Sequence, residues 1–97
     1  MKPFRWSSEK NDLLQAERGV SFESMVVAIE NGGLRDVLAH PNAQKYPHQQ
    51  VLVVAHDSYA YLVPFVEEED YFFLKTVIPS RKATRDYLNR GDPDAQD

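Results

Sequence analysis

The stretch VLVVAHDSYAYLVPFV, Val51–Val66, decides the fold. It holds two runs of β-branched and aromatic residues, Val51 to His56 and Tyr59 to Val66, parted only by Asp57-Ser58. Such residues suit the pleated, half-buried surface of a sheet, and so short a connection forces the two runs to pair antiparallel. Pro64 falls inside the second run. A residue without an N–H cannot complete a ladder, so a bulge or a locally unpaired position is expected there. A third run, Tyr71 to Ile78, follows across the turn-like cluster Glu67-Glu68-Glu69-Asp70 and extends the hairpin into a meander.

Alternation along these strands sorts their side chains. Leu52, Val54, Tyr61, Val63, Phe65 and Leu74 share one face with Thr76 and Ile78; Val51, Val53, Leu62, Pro64, Val66 and Phe73 share the other with Lys75 and Val77. Both faces are largely apolar. A few short helices cover one such face but hardly both, so a contiguous apolar surface is expected to stay open, as partner sites do. A bulge at Pro64 shifts the register and leaves open which face that is.

Working outward, Phe4-Arg5-Trp6 reads as an edge strand or anchored arm. Ser7 or Ser8 caps a first helix with Glu9 in its opening turn, where the dipole favours an acid, and Gly19 ends it in the left-handed conformation. Ser21 caps a second helix with Phe22, Met25, Val26 and Ile29 at helical spacing, Val20 placed to staple against Met25, and Asn31-Gly32-Gly33 as the stop. Leu34 to Leu38 reads as a strand and His40-Pro41 to Pro47 as a loop. Beyond the meander, Ser80 caps a final helix through Leu88. The expectation is an α+β fold with two N-terminal helices packed on an antiparallel sheet of about four strands, and a short C-terminal helix. One domain spans residues 1–89, and an acidic tail at 90–97 is expected to fray.

The bulk numbers narrow the chemistry. The 97 residues suffice for one core, and 42% hydrophobic with 27% charged is ordinary globular composition. Without cysteine there is no disulfide, thiolate metal site or cysteine nucleophile. No apolar run spans a bilayer and the opening residues lack a signal-peptide block, so a cytoplasmic location and no membrane partner are expected. A net charge of −4 argues against generic nucleic-acid affinity, yet basic residues gather at Lys75, Arg81, Lys82 and Arg85.

Cations in the first turn of a helix oppose its dipole, and Arg81 and Arg85 are like-charged i,i+4 neighbours. That is a poor structural choice and a good anion site, since guanidinium forks and backbone N–H groups can converge on phosphate. The plainer reading is a solvated basic face with Lys82 paired to Asp86. His40, His48 and His56 lack metal-ligand spacing and are expected as loop and hairpin-end residues, each able to serve as an acid or base. The acidic cluster at 67–70 reads as a solvated tip before it reads as a cation site. Trp6, beside the first helix cap and Lys10, is singled out as a base-stacking residue.

Trp6-Ser7-Ser8-Glu9-Lys10, followed at nine residues by Gly19-Val20-Ser21-Phe22-Glu23, resembles the N-terminal signature of BrnT-type toxins of the RelE superfamily. Ile78-Pro79-Ser80-Arg81-Lys82-Ala83-Thr84-Arg85 is similar to the closing segment of that family. The resemblance implies a RelE-like fold, metal-independent and cofactor-free cleavage of mRNA, and a cognate ribbon-helix-helix antitoxin through which alone DNA is bound. Carried onto this chain, it implies Lys10, Arg81, Lys82 and Arg85 at the catalytic centre with Trp6 stacking on the RNA, and the basic residue Lys75 is expected to bind RNA beside them. The 2′-OH would attack the adjacent phosphate while cations stabilise the developing charge. Arginine is a poor proton acceptor, which leaves Glu9 or a histidine as the base. Leu14, Glu17 and Arg18 depart from the family's Asn, Lys and His, and the chain is acidic where such toxins tend to be basic. The alternative function is a non-catalytic binding module of the same fold.

Overall fold

The computed structural model describes residues 2–89 as β1 (Phe4–Arg5), α1 (Ser8–Arg18), α2 (Phe22–Ala28), β2 (Leu34–Ala39), β3 (Gln49–His56), β4 (Tyr59–Glu67), β5 (Phe72–Leu74), β6 (Ile78–Pro79) and α3 (Arg81–Ala83). Wider π-type turns extend α2 over Ile29–Gly33 and α3 over Thr84–Leu88. The fold is mixed α and β. The expected acidic tail at 90–97 lies outside the described residues. None of their helices is long and apolar enough to cross a membrane.

The sheet differs from the expected antiparallel one of about four strands. It has six strands in the order β1-β5-β4-β3-β2, with β6 also on β4. It is mixed, because β1 runs parallel to β5 with Phe4 opposite Phe72 and Arg5 opposite Phe73. The Phe72 N–H donates to Pro3 O at 2.9 Å, and the Phe4 and Phe72 rings meet at 5.7 Å. A parallel pair needs a long crossover, supplied here by everything between the two strands.

Pro64 explains the gap between β5 and β6. Its register with Val51 of β3 is undisturbed, and its carbonyl accepts from Lys75 N–H at 2.8 Å on the other side. A strand residue's N and O point the same way, so the missing proton faces that same neighbour. The neighbour leaves the ladder there, and its pairing shifts by one residue, from Leu74 opposite Phe65 to Ile78 opposite Leu62. The bulge expected at Pro64 is therefore not in β4; the extra residue falls in the neighbouring strand, between β5 and β6. It reverses two assignments: Val77 is fully buried and Ile78 is 38% exposed.

Helices α1 and α2 cover the first face. Leu14, Phe22 and Met25 pack there with Leu52, Val54 and Val63 as the main core. Phe22 and Met25 are fully buried, each contributing about 1.5–3 kcal/mol. The caps are those expected. Ser7 Oγ accepts from Lys10 N–H, Gly19 closes α1 at φ 66°, and Ser21 and Ser24 form a reciprocal capping box. Val20 is buried in the same cluster as Met25, as a staple requires. Helix α3 lies on the second face, where Ala83, Tyr87 and Leu88 pack on Val53, Ala60 and Leu62. It covers only part of that face.

At Gly33 the chain passes so close to β3 that a Cβ would meet Ala55 O at 2.6 Å and Ala28 O at 2.7 Å. The β3–β4 hairpin turns through Asp57 (φ 54°) and Ser58 (φ 63°). This is the two-residue left-handed turn that suits strand twist, made without its usual glycine.

Candidate functional site

The alternation of the strands, together with the positions of the helices, sorts the expected site residues into two groups. Trp6, Glu9 and Lys10 belong to the first face. Trp6 is half-buried and stacks on Phe22, ring centroids 5.6 Å apart at 24°, so its surface serves the core. Glu9 is exposed in the first turn of α1, and Lys10 follows it, carried on the layer whose Asn11 and Leu14 are buried. Lys75, Arg81, Lys82 and Arg85 belong with the second face. Lys75 is exposed at the Pro64 break, where it follows the buried Leu74 and so turns to the other side. Arg81 and Lys82 are exposed in the first turn of α3, which Ser80 Oγ caps by accepting from Ala83 N–H at 3.0 Å. The sheet thus stands between Lys10 and the α3 cations, and the convergence of all of them on one phosphate is not found.

On the second face, the expected Lys82–Asp86 pair is replaced by Arg85 Nε to Asp86 Oδ1 at 3.3 Å, between exposed neighbours. Among the described residues Lys75, Arg81 and Lys82 form no ion pair. A cavity of about 260 Å³ opens between α3 and the sheet, with Lys82, Asp86 and Tyr87 on one wall and Leu38, Val53 and Leu62 on the other. Arg5 joins this face from the edge, its guanidinium 5.1 Å from the centre of the Tyr71 ring, an attraction of about 0.5–1 kcal/mol. Strand alternation around Phe4 and Trp6 carried that signal in the sequence.

The charge is segregated. The α1–α2 layer carries Glu9, Asp12, Glu17, Glu23 and Glu30 against Lys10 and Arg18. The second face carries Arg5, Lys75, Arg81, Lys82 and Arg85 with Asp86 and Asp36, the latter accepting from Tyr87 Oη at 2.6 Å, and the exposed Glu67–Asp70 tip lies beyond its end. Basic side chains therefore outnumber acidic ones between β5 and α3, a local excess that the net charge conceals.

Among the described residues, no histidine lines the cavity beside α3, and His56 instead shares a concavity with Leu88 and Asn89 at the far end of that helix. The His40 and Tyr46 rings meet at a tilt of 44° with centroids 4.6 Å apart, and His40 Nδ1 accepts from Asn42 N–H at 2.9 Å. His48 is exposed, and its carbonyl accepts from Glu67 N–H at 3.4 Å. His56 ends β3 with Nε2 3.9 Å from Asp57 Oδ2, and lines an open concavity of about 630 Å³ with Glu23 and Arg35. Glu23 is held below the ordinary carboxylate range by the Asn11 side-chain amide at 2.7 Å, helped by its own backbone N–H and by Ser21. In the acidic cluster Glu67 pairs with Lys2 at 2.8 Å. No group of three or more His, Asp or Glu among the described residues is arranged to hold a metal ion.

Sequence reasoning missed Asn11 and the Asp36–Tyr87 contact. Asn11 is buried, three residues before Leu14 on one side of α1, a helical spacing that marks it as inward-facing. Asp36 and Tyr87 stand 51 residues apart and carry no local signal. Compared with family models, curated proteins and solved structures, the chain matches none.

Proposed function

We propose that this chain is the toxin of a bacterial type II toxin–antitoxin pair, a BrnT-like member of the RelE superfamily, and that it cleaves mRNA without a metal. The observation that carries this reading is the local excess of basic side chains on the second face, with Lys75, Arg81 and Lys82 free of ion pairs among the described residues beside a cavity that also holds a carboxylate. RNA would follow this face, its phosphates against Lys75, Arg81 and Arg85. In the cavity Asp86 would take the 2′-OH proton as O2′ attacks the adjacent phosphorus, and Lys82 would stabilise the charge gathering on the phosphate oxygens. The P–O5′ bond breaks as the O2′–P bond forms, and the 5′-oxygen takes a proton from solvent, giving a 2′,3′-cyclic phosphate end while Asp86 later returns its proton to solvent. Lys10, Glu9 and Trp6 then serve α1 and the core. The partner expected is a ribbon-helix-helix antitoxin, which would supply any DNA binding.

The test is the purified chain incubated with cellular RNA, beside Lys82→Ala and an Arg81→Ala/Arg85→Ala double variant. Cleavage by the parent and a loss of tenfold or more in each variant is expected. No cleavage, together with no growth arrest on expression, counts decisively against the reading.

A second reading has its own observation, the uncovered part of the apolar second face. A non-catalytic binding module would co-purify with a partner, leave RNA intact and cause no growth arrest alone.

A further inference from the structure

The uncovered half of the second face has a definite chemistry. Its floor is two rows running across the strands. Register places Leu38 beside Val51 and Val51 beside Pro64 in one, and Gln49 beside Val66, Val66 beside Phe73 and Phe73 beside Arg5 in the other. Leu38 is 39% exposed, and Val51, Pro64, Val66 and Phe73 are half-buried. Helix α3 stops one row short, over Val53 and Leu62, and the 260 Å³ cavity is the groove along its flank, with Leu38 on the far wall. The first face is covered by two helices and the second by one. Helices pack on a sheet in a layer, and this layer has a vacant position beside α3.

We propose that this vacancy is the seat of an acidic amphipathic helix from a partner protein. The floor is chiefly aliphatic, which fits the apolar side of a helix better than stacked bases, since base platforms are aromatic. The rim is cationic: Arg5 and Lys75 stand at the β1–β5 side and Lys82 at the α3 side, with neither lysine engaged in an ion pair among the described residues. A guest helix lying along the strands, with leucine-type residues toward the floor, carboxylates on the flank that meets Arg5 and Lys75, and its C-terminal end toward Lys82, matches floor and rim together. The acidic Glu67–Asp70 tip lies past one end and fits the positive, N-terminal end of that helix. This seat does not depend on catalysis by the chain, only on the floor, the rim and the missing helix.

The test uses the full chain, isotope-labelled for amide NMR, titrated with three probes. They are an 18-residue Glu/Leu amphipathic peptide, a Lys/Leu peptide of the same apolar pattern, and a 10-nucleotide single-stranded RNA. The Glu/Leu peptide is expected to shift the amides of Leu38, Val51, Val66 and Phe73 and to bind at least tenfold more tightly than the Lys/Leu peptide. Leu38→Glu adds a carboxylate at an already exposed position and should abolish those shifts with the rest of the spectrum intact. Lys75→Glu keeps the floor and should weaken binding several-fold. The proposal is overturned if the two peptides bind alike, if the shifts fall on α1 and α2, if the Glu/Leu peptide does not bind at millimolar concentration, or if RNA takes the floor more tightly. RNA shifts confined to Arg81, Lys82 and Arg85 would support the seat, since the floor then stays free for the peptide. A failure to cleave RNA bears on the ribonuclease reading alone.

Discussion

Tyr87 Oη donates to Asp36 Oδ2 at 2.6 Å, while the other oxygen of the same carboxylate accepts from Val37 N–H at 2.8 Å. The N–H of His40 bonds inward to β3, so by alternation the N–H of Val37 points out along the free edge of the sheet. Asp36 therefore plugs an open donor on an edge strand whose Val37 and Leu38 are both exposed, and α3 holds the plug in place. Free edges invite pairing with other chains, and a side-chain carboxylate is one means of blunting them.

Removing the plug should change association more than stability. Asp36→Ala is expected to self-associate through β2 at concentrations where the parent does not, read by sedimentation velocity. Tyr87→Phe loses a bond to a charged acceptor, about 1–2 kcal/mol of stability in denaturant titration. Equal association of Asp36→Ala and parent would refute the guard role.

Asn11 joins the first two helices. Its Nδ2 donates to Glu23 at 2.7 Å and its Oδ1 accepts from Phe22 N–H at 2.8 Å. Asn11→Ala strands that buried N–H and is expected to cost about 1–3 kcal/mol. The pH dependence follows from Glu23. Its pKa is lower in the folded chain than unfolded, so its contribution is full above the unfolded value and disappears as pH falls through the folded one. The parent should lose stability between neutral pH and pH 3 more steeply than Asn11→Ala, as denaturant midpoints would show. Parallel slopes would remove Asn11 as the cause.

Two backbone positions have opposite signs. Ser58 is left-handed at φ 63° in a hairpin turn, and Ser58→Gly should stabilise by about 1 kcal/mol. Gly33→Ala would drive a methyl against Ala55 O and Ala28 O and should destabilise by about 2–3 kcal/mol. Thermal midpoints moving in the same direction for both variants would contradict this account.

Trp6 and Lys75 separate core from ligand. Trp6→Leu should destabilise by about 1–3 kcal/mol through lost packing on Phe22 and leave RNA retention unchanged. Lys75→Ala, exposed, should leave the thermal midpoint in place and reduce the salt dependence of RNA binding.

Local signals were legible in the residues. Ser7, Ser21 and Ser80 cap their helices as their positions suggest, and the two runs in Val51–Val66 pair around Asp57-Ser58. What was not legible depends on contacts distant in sequence. The parallel pairing of Phe4 with Phe72 has no marker in either segment. Its neighbours Ser7 and Lys10 give Trp6 the look of a stacking platform. Strand alternation after Phe4 turns it inward, and the core claims it. Nothing in the residues themselves shows which face of the sheet each helix covers, so Lys10 and the Arg81–Arg85 pair are not sorted by local sequence. The segregated charge could be seen only once the sheet had divided the cations from the acids.

The proline in β4 has a consequence for how this chain tolerates insertions and deletions. The extra residue opposite it is slack that lets the neighbouring strand step around a position with no N–H to offer: delete one residue between Leu74 and Ile78 and that strand must run straight past the proline, leaving a carbonyl without its ladder partner. A single codon lost at that point would do more damage than several added in the His40–His48 loop.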